Sequence, residues 1–178
     1  MNIKRKDQVI EPNQKGELVI PVAHFAIINS NQNATTPSKI AIYGIGSCIA
    51  LILYSNIDKI YTMSHILLPS SMKIEQIKFP HKFVNTSCKD LLSTLIENGV
   101  NKKEIKAIII GGAKIFQKVD NNIGGENIKS VLKELKKLKI KIVFKEIGGN
   151  KGRSIFFERK SNSILIKKVG ERDINYNV

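Results

Sequence analysis

The stretch Gly44-Ile45-Gly46-Ser47-Cys48 limits the possible folds of this chain more than any other segment. It separates two apolar runs of β type, residues 40–43 and 49–54, and so predicts a tight turn between two strands. Glycine lets a backbone turn sharply and approach another segment closely. We therefore expect the Cys48 thiol to lie at the end of a strand.

A histidine follows in a second strand-like segment. His65 lies in Ser64-His65-Ile66-Leu67-Leu68-Pro69, within a strand predicted over residues 59–68. Cysteine reacts as its thiolate, and a nearby imidazole can take the proton, so Cys48 and His65 are candidates for a nucleophile and its base. The alternative is structural: Cys48 as a buried core thiol, and His65 as a core histidine on the apolar face of its strand.

The composition is that of a globular protein. A chain of 178 residues suits one domain, its apolar content of 42% is ordinary, and no apolar run reaches the roughly 18 residues of a membrane span. Residues 1–15 lack the apolar segment of a secretory signal. The two cysteines, Cys48 and Cys88, fit a reducing compartment without disulfides. We expect a cytoplasmic protein that does not insert into a membrane.

The formal net charge of +14 has three interpretations. It could mark nucleic-acid binding, reflect a composition rich in lysine, asparagine and isoleucine, or help the protein dock on an acidic protein surface. The lysines are spread along the chain and aromatic residues are few, whereas single-strand binders stack bases on aromatic side chains. We therefore expect no nucleic-acid partner.

The pattern along the chain predicts an α+β fold with a core of packed β-sheets flanked by helices. Residues 1–16 are expected to be a flexible lead-in, 17–170 a single domain and 171–178 a C-terminal tail. Apolar spacing predicts helices over 83–98, with Cys88 on the inward face, and over 126–138. Loops are expected at 29–38 and 70–80. Strands are predicted at 18–20, 25–28, 40–43, 49–54, 59–68, 107–110, 140–147, 154–158 and 163–169.

Other chemistries find less support in the sequence. His24 and His81 have no context comparable with that of His65, and no paired cysteine or histidine spacing indicates zinc. Ser47 does not lie in a Gly-x-Ser-x-Gly elbow. The glycine-rich turns at 111–112 and 148–152 match neither a dinucleotide-binding nor a Walker A pattern. We expect no metal and no cofactor.

Several segments together resemble the CheD family, the chemoreceptor glutamine deamidases of bacterial chemotaxis. The resemblance extends over residues 18–168 in the family's order. The matching segments are Gly44-Ile45-Gly46-Ser47-Cys48, Ser64-His65-Ile66-Leu67-Leu68-Pro69, Phe83-Val84-Asn85, Gly111-Gly112-Ala113-Lys114-Ile115-Phe116, Ile123-Gly124-Gly125-Glu126-Asn127 and Gly148-Gly149-Asn150-Lys151-Gly152-Arg153.

The resemblance implies a fold like the deamidase domains of certain bacterial toxins. It also implies hydrolysis of glutamine side-chain amides in chemoreceptors without a cofactor, with Cys48 as nucleophile and His65 as base. The family's supporting threonine stands six positions before the cysteine, where this chain has Ile42. Ser38, Tyr43 or a backbone carbonyl are the alternatives for that role.

The family also implies a partner. Its members bind CheC-type phosphatases, which act on the phosphorylated response regulator CheY, and receptor and phosphatase compete for the deamidase. Because Ile42 replaces the supporting threonine, an alternative to the enzyme is a binding module of little or no activity that docks receptors or such a phosphatase.

Overall fold

The computed structural model describes residues 13–31, 37–70, 79–115 and 121–178. Within these ranges the chain forms two sheets of five strands each and two α-helices. The predicted α+β fold with packed sheets is therefore confirmed. None of the described helices is long and apolar enough to cross a membrane.

The first sheet has the strand order β1-β3-β8-β9-β10. The strands β1 and β3 run parallel, and the other neighbours are antiparallel. Its strands are β1 (Glu17–Val19), β3 (Lys39–Ile45), β8 (Arg153–Glu158), β9 (Ser163–Lys168) and β10 (Ile174–Asn177).

The second sheet has the strand order β2-β5-β4-β6-β7. It is antiparallel apart from β6 and β7, which run parallel. Its strands are β2 (Phe25–Asn29), β4 (Ile49–Ser55), β5 (Ile60–Ile66), β6 (Lys106–Gly111) and β7 (Lys141–Ile147). The strand β4 is buried along its whole length because it is central in the sheet and covered on both faces.

The core has two layers, one on each face of the second sheet. Ala50, Ile52 and Tyr54 of β4 pack inward against the first sheet. Ile49, Leu51 and Leu53 of the same strand pack outward against the helices. Side chains alternate between the two faces of a strand, so a strand buried on both faces reads as a continuous apolar run.

Both α-helices cover the outer face of the second sheet. Helix α1 (Val84–Glu97) buries Cys88 completely, as its apolar spacing predicted. Helix α2 (Ile123–Leu138) crosses from β6 to the parallel strand β7. Short 3₁₀ helices at Pro80–Lys82 and Lys102–Glu104 precede α1 and β6.

The larger differences from the elements expected from the sequence lie at the start of α2 and in the C-terminal residues. Helix α2 begins at Ile123 rather than at residue 126, because the Asn122 side chain caps it by accepting from the Gly125 amide at 3.0 Å. Strand β10 lies in the expected C-terminal tail and pairs with β9. The expected lead-in and loops fall partly outside the described residues, at 1–12, 32–36 and 71–78.

Candidate active site

The turn that carries Cys48 passes from one sheet to the other. Strand β3 in the first sheet ends at Ile45, and β4 in the second begins at Ile49. Near the end of β3 the register against β8 shifts between Ile42 and Ile45, and Gly44 has a φ of 68°. A bulge with glycine in the left-handed region bends the strand toward the other sheet.

The end of β6 holds this turn in place. The Gly112 amide donates to the Cys48 carbonyl and the Ala113 amide to the Gly46 carbonyl, each at 2.8 Å. Gly111 has a φ of 121°, and a Cβ there would lie 2.2 Å from the Cys48 carbonyl oxygen. Only glycine allows β6 to approach so closely, so residues 111–113 fix the backbone around the thiol.

The register of β4 and β5 places His65 on the same face as Cys48. His65 lies directly opposite Ala50, and Cys48, two residues before Ala50, belongs to the same inner core cluster. Met63 of β5 also faces this core, so alternation directs His65 inward as well. Cys48 and His65 are therefore diagonal neighbours, a relation in which long side chains reach each other. The register therefore directs both predicted side chains to the face between the sheets, where no hydrogen bond joins the Cys48 sulfur to the His65 ring among the described residues.

Both side chains are buried, and burial controls their protonation. Cys48 is 8% exposed and His65 is 3% exposed. Burial raises the pKa of the Cys48 thiol, an effect that its own backbone N–H partly offsets. Burial lowers the pKa of His65. At neutral pH both groups are therefore neutral: Cys48 is a thiol, and His65 is an imidazole that can accept a proton.

The structure distinguishes among the groups considered as support for His65. Ile42 is fully buried, Tyr43 donates its hydroxyl to Glu17 at 2.6 Å, and Ser38 is exposed. Neither ring nitrogen of His65 makes a well-formed hydrogen bond within the described residues. Burial is the main cause that lowers the pKa of His65, the backbone of Ile20 acts in the opposite direction, and His24 lowers the pKa further. Of the alternatives, Tyr43 is thus bonded elsewhere and Ser38 lies at the surface, which leaves a backbone group as the remaining candidate.

Sequence reasoning missed one residue at this site, Asn127. Its Nδ2 atom donates to the carbonyl of Ser47 at 2.9 Å and to that of Leu67 at 3.0 Å. Asn127 is completely buried although it lies on a helix. The one sequence feature that could have indicated a role for Asn127 is its position four residues after the start of α2, at the end of the segment Ile123-Gly124-Gly125-Glu126-Asn127.

A cavity of about 320 Å³ lies beside the turn. This volume is at the lower end of the range for small-ligand sites. Ser47, directly before Cys48, forms part of its wall, so the cavity gives the turn an open side. The lining residues are Ser47, Ala113, Lys114, Ile115, Asn121, Asn122, Ile123 and Gly124.

His81 belongs to a different buried network, on the outer side of the second sheet. Its Nδ1 lies 3.2 Å from the Ser87 hydroxyl, which donates to the Ser64 hydroxyl at 2.8 Å. The imidazole stacks on Phe25, with ring centroids 4.1 Å apart. Across the described ranges, no group of three or more histidine, cysteine, aspartate or glutamate side chains could hold a metal ion.

Comparison with known proteins identifies relatives over most of the chain. A family model described as CheD chemotactic sensory transduction matches residues 67–168. A protein of Clostridium botulinum strain Hall, named a probable chemoreceptor glutamine deamidase CheD, is 38% identical over 150 residues, which cover 82% of this chain and 91% of the relative. A protein of the same name from Clostridium tetani is 38% identical over 141 residues, covering 77% and 86%.

The fold and the site define an α+β sandwich with a thiol and an imidazole on the inner face of one sheet. The chain belongs to the CheD family. The family model begins two residues after His65, whereas the matches to whole relatives extend over most of the chain.

Proposed function

We propose that this protein is a glutamine deamidase that converts chemoreceptor glutamines to glutamate, with Cys48 as nucleophile and His65 as general base. The relatives are named for this activity. The observation that carries the assignment of the residues is the β4–β5 register, which directs both side chains to the same inner face.

The first half of the reaction forms a thioester. Neutral His65 takes the proton of the Cys48 thiol while sulfur attacks the amide carbon of the substrate glutamine. Turn amides stabilise the oxyanion, and the Cys48 N–H favours the thiolate by lowering the pKa of the thiol against the effect of burial. The carbon–nitrogen bond then breaks, and the protonated imidazole gives its proton to the departing ammonia.

The second half restores the enzyme. His65 takes a proton from a water molecule, and the resulting hydroxide attacks the thioester carbon. The carbon–sulfur bond breaks, glutamate leaves and the thiolate regains a proton from the imidazole. Water is the only co-reactant, and the protein needs no cofactor.

Ammonia release from a purified chemoreceptor cytoplasmic fragment tests the two roles. We expect Cys48→Ala to lower the rate to that of the substrate alone, and His65→Ala to lower it by about 10²- to 10⁴-fold. The matched control is Cys88→Ala, which removes the thiol buried in α1 and should leave the rate unchanged. Full activity of Cys48→Ala would overturn the proposal.

A second function is favoured by the buried Ile42 and by the absence of a well-formed hydrogen bond to the His65 ring in the described part of the chain. An imidazole held loosely is a weaker base, which suits a receptor-docking module of little activity. Receptor binding measured by calorimetry separates the two. Tight binding without ammonia release, unaffected by His65→Ala, would favour the module.

The proposal extends to partners and compartment. The CheD resemblance supports a CheC-type phosphatase as a second binding partner that competes with receptors. Two free cysteines and a chemoreceptor substrate support action in the cytoplasm. Competition of a CheC-type protein with the receptor fragment for this chain, measured by fluorescence anisotropy, tests the partner, and simultaneous binding of both would contradict it.

A further inference from the structure

We propose that Asn127 is a positioning residue that fixes the Cys48 turn relative to the His65 strand. The inference rests on the proposed function of Cys48 and His65. It assigns to α2, a helix on the outer face of the sheet, a direct part in holding the two reacting side chains in register.

The first argument is where the β4–β5 ladder ends. Its last pair at this end is Ile49 with Ile66. Ser47 and Leu67 lie just beyond it, and the Asn127 amide donates one hydrogen to each of their carbonyls, at 2.9 and 3.0 Å. Beyond the last ladder pair, Asn127 thus ties the residue before Cys48 to the residue two after His65.

The second argument is the chemistry of the amide. Both acceptors are carbonyl oxygens, so the atom facing them must be the NH₂ group, and its two hydrogens match the two acceptors. The Oδ1 atom is buried without a hydrogen-bond partner among the described residues. An unpaired buried acceptor destabilises the folded state. An apolar side chain would avoid the cost of burying an unpaired oxygen. The advantage of asparagine at this position is therefore the pair of hydrogen bonds that Nδ2 donates.

The third argument is that α2 is itself held against the turn. At Gly124 a Cβ would lie 2.5 Å from the Ala113 carbonyl oxygen and 2.6 Å from that of Gly112, the residues whose amides bind the Cys48 turn. The helix therefore delivers Asn127 from a fixed position.

Loss of the bridge would let the thiol and the imidazole move relative to each other. Small displacements of reacting groups lower the rate of the chemical step by up to about 10²-fold. The substrate-binding surface would be unchanged, so the effect should fall on kcat and leave KM close to its original value.

The experiment measures kcat and KM of the full-length Asn127→Ala variant on a receptor fragment, together with its thermal unfolding. We expect kcat to fall about 10- to 100-fold with KM retained. The matched control is Ser130→Ala, which removes another bond from α2 to the segment after β5 without touching the Cys48 turn. It should lower the Tm while kcat stays near wild type. Where Asn127→Ala does not fold, Asn127→Thr serves instead, because threonine is close to asparagine in volume and its single hydroxyl hydrogen can replace at most one of the two bonds.

A double-mutant cycle measures the coupling between Asn127 and His65, which a general loss of stability would not produce. If Asn127 acts through the geometry of the pair, Asn127→Ala should cost little further activity in a His65→Ala background. Equal losses in both backgrounds, or an unchanged kcat in the single variant, would overturn the positioning role. Wild-type activity of Cys48→Ala or His65→Ala would instead refute the proposed function, so the two failures are distinguishable.

Discussion

His65 lies directly opposite Ala50 in the β4–β5 ladder. Because Ala50 has the smallest side chain with a Cβ, the imidazole has space on the inner face beside it. Cys48 precedes Ala50 by two residues and faces the same way. The pairing of these two strands therefore directs the proposed nucleophile and the proposed base, 17 positions apart in the sequence, to one face of the sheet.

Ile42→Thr should increase the deamidation rate several-fold, because a hydroxyl at the position of the family threonine gives the His65 ring a hydrogen-bond partner. The matched control is Ile42→Val, which shortens the same buried side chain without adding a polar group and costs about 1 kcal/mol. Initial rates of ammonia release and urea unfolding measure both effects. Equal rates for the two variants would show that the threonine role is not recovered.

Native protein should react with iodoacetamide at Cys48 alone. Cys88 is fully buried, so it is inaccessible to the reagent in the folded state, and burial also raises its pKa to about 12, so it stays protonated. Burial also raises the pKa of Cys48, so the labelling rate should continue to rise at pH values where a free cysteine peptide has levelled off. Mass spectrometry of labelled tryptic peptides measures the rate. Rapid labelling of Cys88 without denaturant would contradict the prediction.

The protein should lose stability as the pH falls from 7 to 5, in part through His81. Burial lowers the pKa of His81 to about 4, against an unfolded value near 6.5, so protons bind the unfolded state more readily in this range. The loss from His81 is about 2 kcal/mol. Asp90, with Oδ2 3.7 Å from Nε2, opposes the effect, while His24 adds to it.

Urea unfolding at pH 7 and pH 5 measures this difference, with His81→Gln as the comparison. The variant should lose less stability between the two pH values than the wild type. His65 keeps part of the slope, because burial lowers its pKa in the same direction. An identical difference in both proteins would contradict the role of His81.

Gly111→Ala should destabilise the fold and lower the activity, because a Cβ at this position meets the Cys48 carbonyl and the backbone φ is positive. The expected loss is roughly 2 to 5 kcal/mol. Gly152→Ala is the matched control, since its nearest non-neighbouring atom, the Ile45 carbonyl oxygen, lies 4.0 Å from the added Cβ. The control should stay within about 1 kcal/mol of wild type. Similar effects of the two substitutions would refute the argument.

The sequence predicts the strands around the site well because their apolar runs are long and interrupted by glycine. It does not reveal that β3 and β4 belong to different sheets, since an apolar run does not indicate which other strands it pairs with. The sequence predicts that α2 begins at residue 126, three residues after its observed start at Ile123, because Gly124 and Gly125 are poor helix formers. At Gly124 close packing outweighs the low helix propensity of glycine, because any Cβ there would collide with the Ala113 carbonyl oxygen.

Cys48 and His65 were predicted from residue type and spacing, whereas Asn127 was not. An asparagine on a helix is usually exposed to solvent, and its two acceptors come from distant parts of the chain, Ser47 and Leu67. Strand β10 was missed for a similar reason: its four residues are too few for alternation to stand out.

The hairpin between β4 and β5 lies at the opposite end of β4 from Cys48. The seven residues of β4 span about 20 Å, and Ile57 at the hairpin is largely exposed. A fluorophore or short peptide tag attached there would report on the protein without touching the thiol, the imidazole or the helix that bridges them. The central strand thus separates the proposed active site from an exposed position where a label can be attached.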